Sequence, residues 1–180
     1  MSSQLLQPIS HKLEALNIKQ TPRALLVSIA EQRLTIAFED GSTRAYDVST
    51  SAKPPSCREN SFGTPTGLHR IARKIGDGAS PGEVFKGRVS IGKLYHELDA
   101  EAQRPNLITS RILWLEGLEP GHNQGPGCDS FDRYIYFHGT NHEDKIGQPT
   151  SGGCVQLRNL DMIELYDLVQ EGDLVYIAGE

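Results

Sequence analysis

The chain has 180 residues, 37% of them hydrophobic, and a formal net charge of −5 at pH 7. That length and apolar content suit one compact domain with a real core. The acidic balance leaves no basic stripe to grip a phosphate backbone, and no stretch approaches the ~18 apolar residues of a membrane span, so neither nucleic acid nor membrane is expected as a partner.

Three cysteines, Cys57, Cys128 and Cys154, cannot all pair within the chain. So sparse a set fits reduced thiols in a cytosol better than a disulfide framework. The first twenty residues lack the basic start and apolar run of a secretory leader. A cytoplasmic location is therefore expected, or a periplasmic one if the sequence is a trimmed form.

Within residues 1–20, Leu5, Ile9, Leu13 and Leu16 recur at helical spacing, which predicts an amphipathic helix from Gln4 to Leu16 docked on the domain of residues 21–180. Its polar face is not strongly basic, which argues against a membrane role. Ala24 to Ala30 reads as a strand, and Arg33 to Glu39 alternates Leu34, Ile36 and Phe38 with polar neighbours. Asp40-Gly41 is a hairpin signal, and Thr43 to Ser49 returns as a third strand. Ser49 to Ser61 is loop-like. The turn cluster Gly63-Thr64-Pro65-Thr66-Gly67 leads into an alternating strand, Leu68 to Arg73, in which His69 reads as structural.

Gly76 to Gly87 is predicted to be an exposed loop, Leu94 to Arg104 a short helix, and Leu107 to Glu116 a largely buried strand with Trp114 in the core. Gly117 to Asp129 is too irregular for an element and is expected to form a groove wall or lid. After Asn159, the run from Asp161 to Val169 predicts a helix ended by Gly172 and packed under the Cys154 turn, and Asp173 to Ala178 a closing strand. No internal repeat competes with the one-domain reading.

The stretch from Tyr134 to Asn159 carries the chemistry. An aromatic and β-branched run stops at His138-Gly139, and Ser151-Gly152-Gly153-Cys154 is a tight turn presenting a thiol. Cysteine attacks as thiolate, and with a free pKa of about 8.5 only a few per cent is ionised at neutral pH. A neighbouring imidazole lowers that pKa and shuttles the proton, so rapid alkylation near pH 6 that vanishes in His138→Ala would mark a catalytic pair. Gly152 and Gly153 let backbone N–H groups approach a reacting carbonyl as an oxyanion hole. On spacing alone, a structural histidine and a buried cysteine remain an equal reading. His122, Cys128, His138, His142 and Cys154 together offer a zinc alternative, but no metal-binding spacing appears, and neither a metal nor a cofactor is expected.

His138-Gly139-Thr140, Gly147 and Ser151-x-Gly153-Cys154-Val155-x-Leu157-x-Asn159-x-Asp161, with Gly63 to Gly67 upstream, closely resemble the signature of the L,D-transpeptidase catalytic domain, or YkuD, family. The resemblance runs from about Ala24 onward. It implies a mainly β (α+β) fold, a capsule-like β-sandwich of mixed sheets with a few peripheral helices, and places the Gly63 to Gly67 segment beside the active-site groove. Two positions depart from the family pattern. Gly152 stands where a histidine is usual, and Gln156 stands where an arginine usually follows the cysteine by two residues.

The resemblance further implies a peptidoglycan stem peptide as partner, with the bond between a third-position diamino acid, commonly meso-diaminopimelate, and D-alanine as the target. Cys154 would be the nucleophile and His138 the base, with the Gly152, Gly153 and Cys154 amides forming the oxyanion hole. A loop carbonyl near Gly139 would fix the imidazole tautomer. Ser151, Gln156, Arg158, Thr140 and Tyr136 are candidate substrate contacts, with Arg158 as a replacement for the missing arginine and Arg111 and Arg133 as further cations near the signature. Resolution of the thioester by water would make the protein an L,D-carboxypeptidase in murein recycling, which the expected cytoplasmic location favours. Resolution by an amine would make it an L,D-transpeptidase, and loss of the two family residues would suit a non-catalytic muropeptide-binding module. Acylation of the thiol by carbapenem-type β-lactams is also implied.

Overall fold

A computed structural model describes residues 7–179. The first element is the helix α1, Gln7–Leu16, whose Ile9 and Leu13 are buried; Leu5 lies outside the described residues. Ten strands follow: β1 (Arg23–Ser28), β2 (Arg33–Phe38), β3 (Thr43–Asp47), β4 (Gly67–Ile75), β5 (Glu83–Lys86), β6 (Val89–Leu94), β7 (Ile108–Gly117), β8 (Tyr136–Gly139), β9 (Val155–Leu157) and β10 (Leu174–Ala178). A second helix, α2 (Asn159–Leu168), lies between β9 and β10.

All ten strands belong to one mixed sheet, ordered β3-β2-β1-β10-β4-β7-β5-β6, with β8 and β9 branching from β7. The layers of the expected sandwich are thus parts of one continuous curled sheet. Leu25, Ile36, Val175, Leu113, Phe137, Val155 and the α2 residues Met162 and Leu165 share a single core cluster. A second cluster seats α1 on Leu68 and Leu174.

Two predicted segments differ. The supposed loop 76–87 contains β5, which pairs with β6 through a two-residue turn in which Gly87 (φ 56°) and Arg88 (φ 69°) are both left-handed. This geometry matches the right-handed twist of a hairpin. The supposed helix 94–104 is a single 3-10 turn, Tyr95–Glu97.

β7 positions the site. Its start pairs with β5, its remainder with β4, and its other edge with β8. A register shift between Thr109 and Ile112 contains Ser110, buried and left-handed at φ 66°. An irregularity of this kind bends a strand and re-aims its side chains. α2 packs against β7 and β8, behind the histidine strand.

Candidate active site

Ser151 to Cys154 forms a turn braced by the segment 49–52. Ser151 N–H donates to Thr50 O (2.9 Å), Ala52 N–H donates to Ser151 O (3.1 Å), and Ser49 exchanges backbone hydrogen bonds with Gln156 (2.9 Å each). Inside the turn, Ser151 Oγ donates to Cys154 O (2.5 Å) and accepts from Gly153 N–H (3.2 Å). Gly153 has φ 127°, so the turn needs glycine there. A Cβ on Gly153 would also lie 3.4 Å from Gly63 O, which sets the Gly63 to Gly67 segment against the turn.

β8 and β9 run parallel, with His138 beside Gln156 and Phe137 beside Val155. Phe137, Val155 and Leu157 enter the main core, so Tyr136, His138, Cys154 and Gln156 share the opposite face. There Cys154 packs with Trp114, Tyr136, Ile112 and Phe85. The topology therefore puts thiol and imidazole on one face in a diagonal relation, with Cys154 level with Tyr136 and His138 level with Gln156.

The imidazole is oriented from behind. His138 Nδ1 lies 2.7 Å from Gly139 O, which selects the Nδ1–H tautomer and leaves Nε2 as an acceptor without a hydrogen-bond partner among the described residues. Asn159 holds this strand end. Its Oδ1 accepts from Thr109 Oγ1 and Ser110 Oγ (2.6 Å each), and its Nδ2 donates to Thr140 O (3.0 Å) and Glu143 Oε1 (2.8 Å). Sequence reasoning missed Asn159 as a hub, although its position after Leu157 in the signature was visible.

Burial sets the resting protonation. Desolvation pushes His138 down to about 4, partly opposed by the Gly139 hydrogen bond. Desolvation also pushes the Cys154 thiol up to about 11, against the opposing effects of the Tyr136 backbone N–H and the Arg133 charge. The thiol donates to Tyr134 O at 3.4 Å. Both groups are neutral at rest, and the thiol shift has the opposite sign to a depressed pKa. Burial is the largest influence on the sulfur.

Of the remaining candidates, Tyr136 and Gln156 stay on the thiol face. Tyr136 is buried, and its hydroxyl accepts from Arg88 Nη1 (3.2 Å). Thr140 is buried and its hydroxyl accepts from His142 N–H (3.1 Å). Gln156 is 2% exposed, and its carboxamide makes no hydrogen bond among the described residues. Arg158 pairs with Asp47 (3.6 Å) and Asp161 (3.8 Å), beside the start of α2. Arg111 is spent on the carbonyls of Ala79 (2.6 Å) and Ser110 (2.7 Å).

Arg133 is the cation whose field acts on the thiol. It also binds Gly63 O (2.7 Å) and Ser56 O (3.0 Å), fastening the groove wall. Gly152 opens onto a cavity of about 220 Å³ lined by Glu59, Phe62, Asp132, Arg133 and Tyr134, and nothing lies within 4 Å of where its Cβ would be. The loop before β8 is a packed wall, held by buried Asn123, whose Nδ2 donates to Thr66 O (3.0 Å) and Leu68 O (3.1 Å).

The zinc candidates do not converge. His122 contacts Cys57 (3.5 Å), His142 contacts Arg104 O (3.1 Å), and Cys128 donates to Gly125 O (3.5 Å). Among the described residues no group of three or more His, Cys, Asp or Glu side chains is placed to hold a metal ion.

A curled mixed sheet thus presents a cysteine turn and a tautomer-fixed histidine on one face. The family model of the L,D-transpeptidase catalytic domain, YkuD, matches residues 22–177, and the chain belongs to that family. A curated relative, the putative L,D-transpeptidase YqjB of Bacillus subtilis, is 29% identical over 72 residues, which is 37% of this chain and 41% of the relative. Among solved structures, an L,D-transpeptidase from Mycobacterium smegmatis superposes with a TM-score of 0.53 at 17% identity, covering 87% of this chain and 58% of that one. L,D-transpeptidase 3 from Mycobacterium tuberculosis, bearing a faropenem-derived adduct, gives 0.54 at 14% identity over 87% and 60%. The chain thus spans well under two thirds of the length of these proteins.

Proposed function

We propose that the protein cleaves the bond between a third-position diamino acid and D-alanine in murein stem tetrapeptides, through a Cys154 thioester resolved by water, as an L,D-carboxypeptidase of cytoplasmic peptidoglycan recycling. The observation that carries the acyl-transfer reading is the His138 imidazole. Its Nδ1–H is committed to Gly139 O, and its free Nε2 shares a sheet face with the thiol.

From neutral partners, Nε2 takes the thiol proton as sulfur attacks the carbonyl carbon. The carbonyl oxygen becomes an oxyanion, and the imidazolium then gives its proton to the departing amine as the C–N bond breaks. Gly153 N–H is occupied by Ser151 Oγ, so the Gly152 and Cys154 amides are the donors left for the oxyanion. Water then attacks the thioester with His138 again as base, releasing a tripeptide and the thiol. The charged groups of Glu59, Asp132 and Arg133 around the cavity at Gly152 suit a hydrated site and support water as the acceptor.

Transpeptidation is the second reading. The carboxylates of Glu59 and Asp132 on the same cavity suit an incoming ammonium group, and the relatives above are named transpeptidases. The test is mass spectrometry of products from a meso-diaminopimelate tetrapeptide, with and without an acceptor peptide, beside Cys154→Ala. Tripeptide plus D-alanine, independent of acceptor and absent in the variant, supports the carboxypeptidase; a cross-linked or exchanged product replaces it with the transpeptidase. No Cys154-dependent product defeats both. The faropenem-derived adduct of the Mycobacterium tuberculosis enzyme extends the same chemistry to an expected covalent mass increase on Cys154 with carbapenem-type β-lactams.

A further inference from the structure

Arg88 occupies the tip of the β5–β6 hairpin, in a segment without any sequence signal for function. Its left-handed backbone folds the side chain over Trp114 and Tyr134, with the guanidinium carbon 4.8 and 5.1 Å from the two ring centroids. One N–H donates to Tyr136 Oη at 3.2 Å. Trp114 and Tyr136 belong to the cluster that contains Cys154, and Tyr136 shares a strand face with His138.

Among the described residues no carboxylate lies within ion-pair distance of Arg88, although Arg23, Arg33, Arg44, Arg70 and Arg158 each have one. A guanidinium carries five N–H donors in a rigid plane, and here one is used within the protein. Lying over two rings restrains the guanidinium before any ligand arrives, which reduces the entropic cost of binding. Tyr136, whose phenol burial pushes further above its ordinary value of 10, accepts from Arg88 and keeps its own hydrogen free to donate. Two unspent donor groups, joined by one hydrogen bond, thus sit at the edge of the cluster that holds Cys154, and a carboxylate is the group that accepts from such a pair.

Resting on the peptide-cleaving reading of Cys154, we propose that Arg88, with Tyr136, binds a carboxylate of the substrate and is a specificity-determining residue of this site. Such a residue supplies the cation absent at Gln156 from a different element. A stem tetrapeptide offers two sources of that group: the terminal carboxylate of the leaving residue and the side-chain carboxylate of the third residue.

The experiment compares three tetrapeptides, unmodified, amidated at the C-terminus, and amidated at the third-residue carboxylate, on wild type, Arg88→Gln and Arg88→Lys. One amidation should cost the wild type about 10- to 100-fold in kcat/KM, and Arg88→Gln should show the same loss on the unmodified peptide with no further loss on that amidation. Arg88→Lys should recover part of the discrimination, and added salt should shrink it. The amidation that Arg88→Gln ignores identifies the carboxylate. Equal rates on all three peptides in the wild type, or undiminished discrimination in Arg88→Gln, overturn the proposal. Binding of the same peptides to Cys154→Ala, with and without Arg88→Gln, separates it from the catalytic reading: turnover can fail while Arg88-dependent affinity for the carboxylate survives. Equal affinity, or none, overturns it as well.

Discussion

His69 and His138 are both buried, and burial pushes both imidazoles down to about 4. What separates them is the second ring nitrogen. His69 uses Nδ1 on Gly67 O (3.0 Å) and Nε2 on Ser130 Oγ (2.9 Å), so its bonding is complete within the protein. His138 keeps Nε2 free, and its burial favours a base that stays neutral down to mildly acidic pH. His138→Gln should therefore lower kcat by about 100- to 10,000-fold with a small effect on affinity, measured by steady-state cleavage of the tetrapeptide. A loss below tenfold would remove His138 as base. The thiol makes a second residue-scale prediction. Held near 11, Cys154 should react slowly with iodoacetamide at pH 7, and the rate should climb about tenfold per pH unit as the thiolate forms. Rapid labelling at pH 6 would show instead that the imidazole ionises the thiol at rest.

At the scale of elements, three glycines near one turn have different reasons to be glycine. Gly153 is left-handed, so Gly153→Ala should cost more than about 1 kcal/mol and disorder the nucleophile turn. At Gly139 a Cβ would stand 2.7 Å from Asn159 Oδ1 and 2.8 Å from Thr109 O, so Gly139→Ala should displace the hub that holds His138 and cost stability and rate together. Gly152 meets nothing, and Gly152→Ala should change stability by less than about 0.5 kcal/mol in urea titrations. Equal losses at 152 and 153 would contradict this turn geometry. The turn itself was legible in Ser151 to Cys154, as were β1 to β4 in their alternation and turn residues. The β5–β6 hairpin was not, because Gly87-Arg88 lacks the Asn-Gly or Asp-Gly signal and the surrounding Gly and Pro residues read as loop. Nor could α2 be placed: its apolar spacing shows a buried face but not that the face meets β7 and β8. Arg88 and Asn159 were missed for a related reason, since these contacts join residues 26 to 50 positions apart.

Across the whole molecule, the sheet joins its first strand to its last. β1 pairs in parallel with β10, from Ala24 beside Leu174 to Ser28 beside Ala178, and Arg23 Nε bonds Asp173 Oδ2 at 2.7 Å along that seam. Local sequence cannot announce a pairing across 150 residues; only the hydrophobic run of each strand was readable. The interior so formed buries ionisable groups in their neutral forms, and global stability should follow them with pH. For His69 and His138 the folded pKa near 4 lies below the ordinary 6.5, so between these values the unfolded chain binds more protons. Stability is then complete above pH 6.5 and is lost as pH falls from 6.5 toward 4, by up to about 1.4 kcal/mol per unit for each histidine. For Cys154 the folded value near 11 lies above the ordinary 9.0, so the folded chain holds its proton longer and stability falls as pH rises from 9 to 11. A plateau between pH 6.5 and 9 is expected, with decline on both sides. Urea unfolding at pH 7.5, 6.0 and 5.0 tests the acid limb above the usual carboxylate range, and His69→Gln should roughly halve the slope there. A flat unfolding free energy from pH 7.5 to 5.0 would mean that the two imidazoles accept protons without unfolding, and that the His138 site admits water far more freely than its burial implies.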